Sequence, residues 1–303
     1  MRPRLAAILA LAALVGLGFG LAAPARAELG DKLGALTGEN AKGYLGPLPD
    51  ALSGTLNSAI FTTGKVPKQG VTFSIGAHIM GVNLKDDDRT FIPVDPPGFT
   101  SDPTLPPQPV STVTGDSKSV GVQGQGGTVF NYPGGLDVST FTLAAPELTI
   151  GSVMGTRAIV RWFSAEVGKS DYGKLELFGI GGQHSISQYF PTLPVDIAAG
   201  VFYQTFKLGD GLLDTKALHL NVTGSKSFGL VQPYVGIGYD TFKMDVDYTS
   251  TSNPGEHVTV SMDDKSNAHF TVGAQASLAI VKLHAEFNAA ANTGAAIGLS
   301  FGL

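Results

Sequence analysis

Between residue 139 and the C-terminus the chain repeatedly alternates apolar residues with small or polar ones at a period of two. That period belongs to extended strands with one greasy face, and not to helices. The clearest case is the last: Thr293, Ala295, Ile297, Leu299, Phe301 and Leu303 fall on one side, and Asn292, Gly294, Ala296, Gly298, Ser300 and Gly302 on the other. On an open sheet in water so apolar an edge strand would invite aggregation, whereas a closed barrel has no edge.

Nine strands are predicted here, at 139–150, 156–165, 174–190, 195–208, 214–226, 230–250, 256–277, 281–289 and 293–303. A tenth, at 71–84, sets Val71, Phe73, Ile75, Ala77 and Ile79 against Thr72, Ser74, Gly76 and His78. The expected fold is all-β: a transmembrane antiparallel up-and-down β-barrel of about ten strands, with twelve to fourteen as the wider alternative. A secreted β-sandwich is the water-soluble alternative. The arms of the 230–277 hairpin are about twice the roughly 9–11 residues that cross a bilayer as a tilted strand, so its tip projects beyond the lipid. Val235, Ile237 and Tyr239 have the opposite parity to Phe242, Met244, Val246 and Tyr248. That change predicts a β-bulge near Asp240 or a passage from lipid to loop contact.

The first 27 residues combine an MRPR start, an apolar run from Leu5 to Leu21 and an Ala25-Arg26-Ala27 site, the pattern of a secretory leader cleaved after Ala27. Residues 28–68 carry leucines at three- and four-residue spacings, broken by Gly43, Gly46, Pro47 and Pro49. They predict two short helical pieces, the second starting near Asp50, lying in the lumen as a plug or at the periplasmic mouth. Residues 69–303 form the barrel. Within it, residues 85–137 hold Asp86, Asp87 and Asp88, seven prolines from Pro93 to Pro109 and several glycines, and read as one long external loop with a short hairpin at 120–132. An even strand count returns both barrel ends to the periplasm, together with the connections near 153, 192, 227 and 279. Those near 95, 167, 210 and 253 are then external.

With no Cys, 15% charged residues and a net charge of −5, the chain has no disulfide scaffold and no electrostatic affinity for nucleic acid. If the odd positions of 281–289 face lipid, Lys282, His284 and Glu286 line the lumen. By the same parity His78, Arg157, Arg161, His219 and Asn221 line it too. They suit a polar channel lining or a network filling a narrow barrel.

No catalytic residue, cofactor or metal site is expected. The adjacent His184 and Ser185 point to opposite faces, and the six His lack metal-ligand spacing. The glycines of GIGGQH and GVQGQGG open no strand-to-helix unit of the nucleotide-binding kind. Asp86 to Asp88 suit a solvated loop, or an external divalent-cation site. Asn221-Val222-Thr223 matches a glycosylation sequon only formally, lying mid-strand.

The segments YLGPLPDALSGTLNSAIFTTGKVPKQGVTFSIG, GIGGQHSISQYFPTLPVDIAAGVFY and TGSKSFGLVQPYVGIGYDTFKMDVDY resemble an uncharacterised bacterial outer-membrane barrel family. More distantly, a helical start followed by a barrel is similar to the outer-membrane transporters of long-chain fatty acids. Gly298, Phe301 and Leu303 resemble the assembly signal of outer-membrane barrels, with Ala296 where that signal prefers a polar residue. The resemblance implies the bacterial outer membrane as location, with its lipid, the barrel-assembly machinery and a small hydrophobic solute as partners. Passive passage of small or hydrophobic solutes is the expected function, and a non-transporting barrel whose external loops engage a partner or lipid is the alternative.

Overall fold

The computed structural model describes residues 27–36, 38–166, 174–209, 211–251, 255, 257–264 and 267–302. The expected leader up to residue 26 and the terminal Leu303 lie outside the described residues.

Among the described residues three short helices precede the sheet: α1 Ala27–Gly34, α2 Gly38–Leu45 and α3 Leu48–Leu56. The two pieces expected from the break at 43–49 are thus three, and the third starts at Leu48. Gly43 breaks nothing. It lies within α2, where the Phe91 ring fills the place of a side chain, 2.3 Å from where a Cβ would stand. The prolines sit at the start of α3, where a missing N–H costs nothing, with Asp50 in its first turn. Thr55 and Ser58 turn their hydroxyls back onto the carbonyls of Ala51 and Gly54. Residues 49–56 of α3 are all buried, which places the helix inside a larger structure and not on its surface.

Fifteen strands follow. The wall is built from β1 Gln69–Asn83, β6 Thr140–Val153, β7 Thr156–Glu166, β8 Lys174–Ser185, β9 Asp196–Leu208, β10 Leu213–Ser225, β11 Val231–Thr249, β13 Ala268–Leu278, β14 Val281–Ala289 and β15 Thr293–Gly302. Neighbours in this order pair antiparallel, β10 joins β11, and β1 pairs with both β6 and β15, so ten strands close on themselves. Along β11 the pleat sorts residues cleanly: Tyr234 is 2% exposed and Ile237 64%. The outward set, including Phe178, Ile180, Val201, Val222, Ile237, Phe270, Phe287 and Ile297, forms an apolar band that matches hydrocarbon and not water. The fold is an outer-membrane-type β-barrel. Among the described residues no helix is long and apolar enough to cross a membrane.

The single strand expected at 256–277 is two, β12 His257–Asp263 and β13. β12 pairs with the distal half of β11, Lys243 opposite Asp263, and β13 with the proximal half, Tyr239 opposite Ala268. Opposite Asp240, between the two strands, Asp240 N–H donates to Asn267 O and Asn267 Nδ2 to Asp240 O, both at 2.7 Å. β11 itself keeps one parity and pairs with β10 without a shift. Its inward face turns apolar at Phe242, Met244, Val246 and Tyr248 because the helices pack there, in one core with Leu33, Leu45, Leu52, Leu56, Phe206 and Leu213.

Residues 85–137 are not a featureless loop. β2 Thr90–Phe91 pairs with β3 Val110–Ser111, and β4 Val120–Gln123 with β5 Val129–Tyr132, in two small sheets separate from the wall. They are tied to the helices: Val113 N–H donates to Tyr44 O at 2.8 Å, Asn40 exchanges two hydrogen bonds with Val94, and Tyr44 Oη donates to Gly134 O at 3.1 Å. Val113 and Tyr132 join the core. This cap lies at the end of the barrel that carries the 84–139 connection. At the other end three connections are short turns, 154–155, 226–230 and 279–280, and the fourth is 186–195.

One part of the wall is unpaired. β7 pairs with β6 only from Glu147↔Arg161 to Val153↔Thr156, while residues 162–166 pair with β8 alone. Pro146, which has no N–H to give a ladder, is the next residue of β6 beyond Glu147.

Candidate functional site

From the end of α3 the chain runs through the lumen to the start of β1, and its backbone is bonded to the wall along the way. Arg161, 0% exposed, stands on β7 beneath the helix end. Its Nη1 donates to Ser58 O at 3.0 Å and Leu56 O at 3.3 Å, its Nη2 to Ala59 O, and its Nε to Glu147 Oε2 at 2.8 Å. A guanidinium suits this position, since its five donors in a rigid fork meet carbonyls left over at a helix C-terminus. Ala59 N–H donates to Glu286 Oε1 at 2.7 Å. Phe61 stacks on His219, with ring centroids 5.7 Å apart, and occupies the place of a side chain at Gly200 on β9. Lower down, Thr62 Oγ1 donates to Gln275 Oε1, Gln183 Nε2 to Thr63 O and Gly64 N–H to Ser225 Oγ. Ser152 Oγ donates to Pro67 O, and Gly155 N–H to Lys68 O at 2.9 Å.

The residues expected to line the lumen fall into three groups. His78 and His284 meet at 3.4 Å, with His78 Nε2 3.5 Å from Glu147 Oε1, so both join the Arg161 clamp. His219 belongs to a chain of buried polar groups: its Nδ1 is 2.5 Å from Asp240 Oδ1, His269 Nδ1 is 2.8 Å from Asp240 Oδ2, and His269 Nε2 is 3.0 Å from Asn288 Oδ1. Asn288 Nδ2 and Tyr234 Oη then donate to the two oxygens of Glu286. Asn221, on the His219 face, accepts from Thr223. Arg157 and Lys282 face a cavity of about 420 Å³ near the short turns, whose lining His78, Glu147 and His284 share.

Glu147, Asp240, His269, Asn288 and Tyr234 are the residues sequence reasoning missed. Strand pairing assembles them from distant positions: His219 is the direct cross-strand partner of Asp240, and Gly238 that of His269. Parity alone gives a face for each, not a partner.

His219, Asp240 and His269 also bring one ligand atom each within 4.8 Å of one another, a donor set that suits zinc. The ring nitrogens lie 2.5 and 2.8 Å from Asp240, however, closer than two ligands about 2.0–2.1 Å from a tetrahedral ion can approach each other. As placed they form a hydrogen-bonded triad.

Outside the wall the electrostatics are local. Asp95 and Asp102 have their pKa values lowered, first by the hydroxyls of Ser101 and Thr104 and then by the backbone N–H groups of those residues. Burial, helped by the charge of Asp95, pushes the Tyr132 phenol up to about 12. Asp264, just past the end of β12, accepts from Ser53 Oγ of α3 at 3.0 Å, and burial raises its carboxyl to about 6 against that hydrogen bond.

The sequence profile of one protein family matches residues 3–303. The chain belongs to that family, a family of unknown function (DUF6588). No curated protein matches the sequence significantly. Among solved structures, the N-terminal β-barrel domain of Pseudomonas aeruginosa OprF aligns at 12% identity and a TM-score of 0.29, covering 49% of this chain and 98% of its own. A loop-deletion form of Vibrio cholerae OmpT, an outer membrane protein, aligns at 12% and 0.29, covering 78% and 100%. The Ralstonia pickettii toluene transporter TbuX aligns at 9% and 0.28, covering 79% and 90%. Likeness this slight says nothing of what the chain does.

Proposed function

We propose that this chain is an outer-membrane barrel that its own N-terminal segment keeps shut, and that its working surface is the folded cap at the long-loop end, which engages a partner or lipid outside the cell. The observation that carries this reading is the bonding of residues 57–68 to the wall. Seven of its strands, β6, β7, β8, β9, β10, β13 and β14, each bind that segment at least once. This bonding, with the buried core of helices and cap in the other half, supports a shut lumen. The apolar outer band, the leader expected at 1–27 and the even strand count support the outer membrane, with the short turns in the periplasm. Its lipid and the barrel-assembly machinery are then the first partners.

Passive passage of small or hydrophobic solutes is a second reading, favoured by the unpaired stretch between β6 and β7, where an apolar solute would find the least backbone bonding in its way. Single-channel recording and liposome swelling on the folded full chain separate the two. The shut barrel gives silent bilayers and no swelling. Steady conductance in the unaltered protein would overturn it and leave passage standing.

A further inference from the structure

We propose that the cavity at the short-turn end is an oxyanion site, in which Arg157 of β7 and Lys282 of β14 bind a phosphate group together. Both line the same space of about 420 Å³, which reaches the turn at Ser227 and Leu230. They stand close enough for the charge of Arg157 to act on Lys282. Among the described residues neither makes a hydrogen bond or an ion pair, and Arg157 Nε is buried without an acceptor.

Glu147, the carboxylate that lines the same cavity, is already committed. Its Oε2 accepts from Arg161 at 2.8 Å, and its Oε1 faces His78 Nε2 at 3.5 Å. Two like charges in a recess, one with a buried unpaired donor, are costly unless something negative joins them. The wall between them leaves room for it: Lys282 pairs with Ser300 and Ser300 with Gly76, both short residues that line the same space. Thr149 and Ser300 add hydroxyls.

Oxygen acceptors set around one centre match this arrangement. A guanidinium binds two of them in plane and an ammonium takes a third as a point charge, which is how phosphate is usually recognised. The volume lies in the lower part of the range of small-molecule pockets. It takes a phosphate with a small substituent but not acyl chains. A phosphorylated small solute or a lipid headgroup entering from the periplasmic side are the two sources of this one chemistry.

The full chain, folded in phosphate-free detergent at constant ionic strength, is titrated in separate arms with inorganic phosphate and with short-chain phosphatidic acid below its micelle concentration, followed by ³¹P line broadening. Saturable binding of free phosphate points to a soluble source, and binding of the lipid alone to a headgroup; either supports the site. Lys282→Gln should weaken binding about tenfold. Lys282→Glu should abolish it and also raise the melting midpoint, because the new carboxylate then pairs with Arg157. Heat-modifiable mobility checks that each variant folds. Failure of both ligands to bind the unaltered protein, or equal binding to the Lys282→Glu protein, overturns the proposal.

Discussion

Gly298 shows how one missing Cβ can have a packing reason. A methyl group there would lie 2.1 Å from His284 Cε1 and 2.5 Å from His78 Nδ1, so the two imidazoles meet in the space the glycine leaves. Gly298→Ala should lower the unfolding midpoint by an amount equivalent to about 1–3 kcal/mol, as overpacking of a dense interior usually does. Combining it with His284→Ala should recover part of that loss, a coupling measurable by a double-mutant cycle in urea. Additive losses would show that the glycine does not matter through packing. Asp264 carries a second residue-scale prediction. Its folded-state carboxyl is raised to about 6 from 3.8, so the folded protein prefers the protonated form. The resulting penalty is absent below about pH 4, grows between pH 4 and 6, and is complete above that. Asp264→Asn keeps an acceptor for Ser53 and should be more stable at pH 7.5 by about 1 kcal/mol, a figure discounted for the partial exposure of the group, with the two proteins converging at pH 4. Thermal melts at the two pH values check it, and an equal difference at both would remove the carboxyl as its cause.

The element that decides the behaviour of the lumen is the segment between α3 and β1. Gly200→Val puts a branched side chain where Phe61 Cζ stands 2.4 Å from the position of a Cβ. The ring must leave, taking its stacking on His219 with it, while the pairing of β9 with β8 and β10 does not depend on it. The expected outcome is a barrel that still shows heat-modifiable mobility but conducts in bursts and is cut by added protease between residues 57 and 68. A silent, uncut variant would mean that the other anchors suffice. The sequence carried little sign of this segment's path. Strands were legible because the pleat imposes a period of two on each residue separately, and His78, Arg161 and Glu286 took their faces from it. The anchors of 57–68 join residues separated by 85 or more positions, 103 for Arg161 and Ser58, and such a bond leaves no local pattern. The apolar inward face of distal β11 was visible as a parity change at Asp240. Its cause was not, because the helices that pack on Phe242 and Met244 come from the other end of the chain.

On the scale of the whole molecule, the ten strands work only as a ring, and the ring is completed by β15. That strand pairs along its whole length with β14 on one side and with β1 on the other, from Val82↔Gly294 to Ser74↔Gly302. Phe301 faces Ile75 across one seam and Val281 across the other, and Gly302 N–H donates to Ile280 O at 2.9 Å. Backbone groups left open at such a seam have no water to bond with inside hydrocarbon, and each unsatisfied one costs several kcal/mol. Deleting residues 301–303 removes the outward Phe301 and opens both seams at their lower ends. The loss exceeds what one strand end contributes, because an open sheet cannot stay in the membrane. The truncated chain should give no heat-modifiable, membrane-inserted protein, and it should be recovered as aggregate or degraded. Phe301→Ala leaves the backbone pairs in place, so it should insert with a reduced yield. Normal insertion of the truncated chain would show that closure does not depend on these residues.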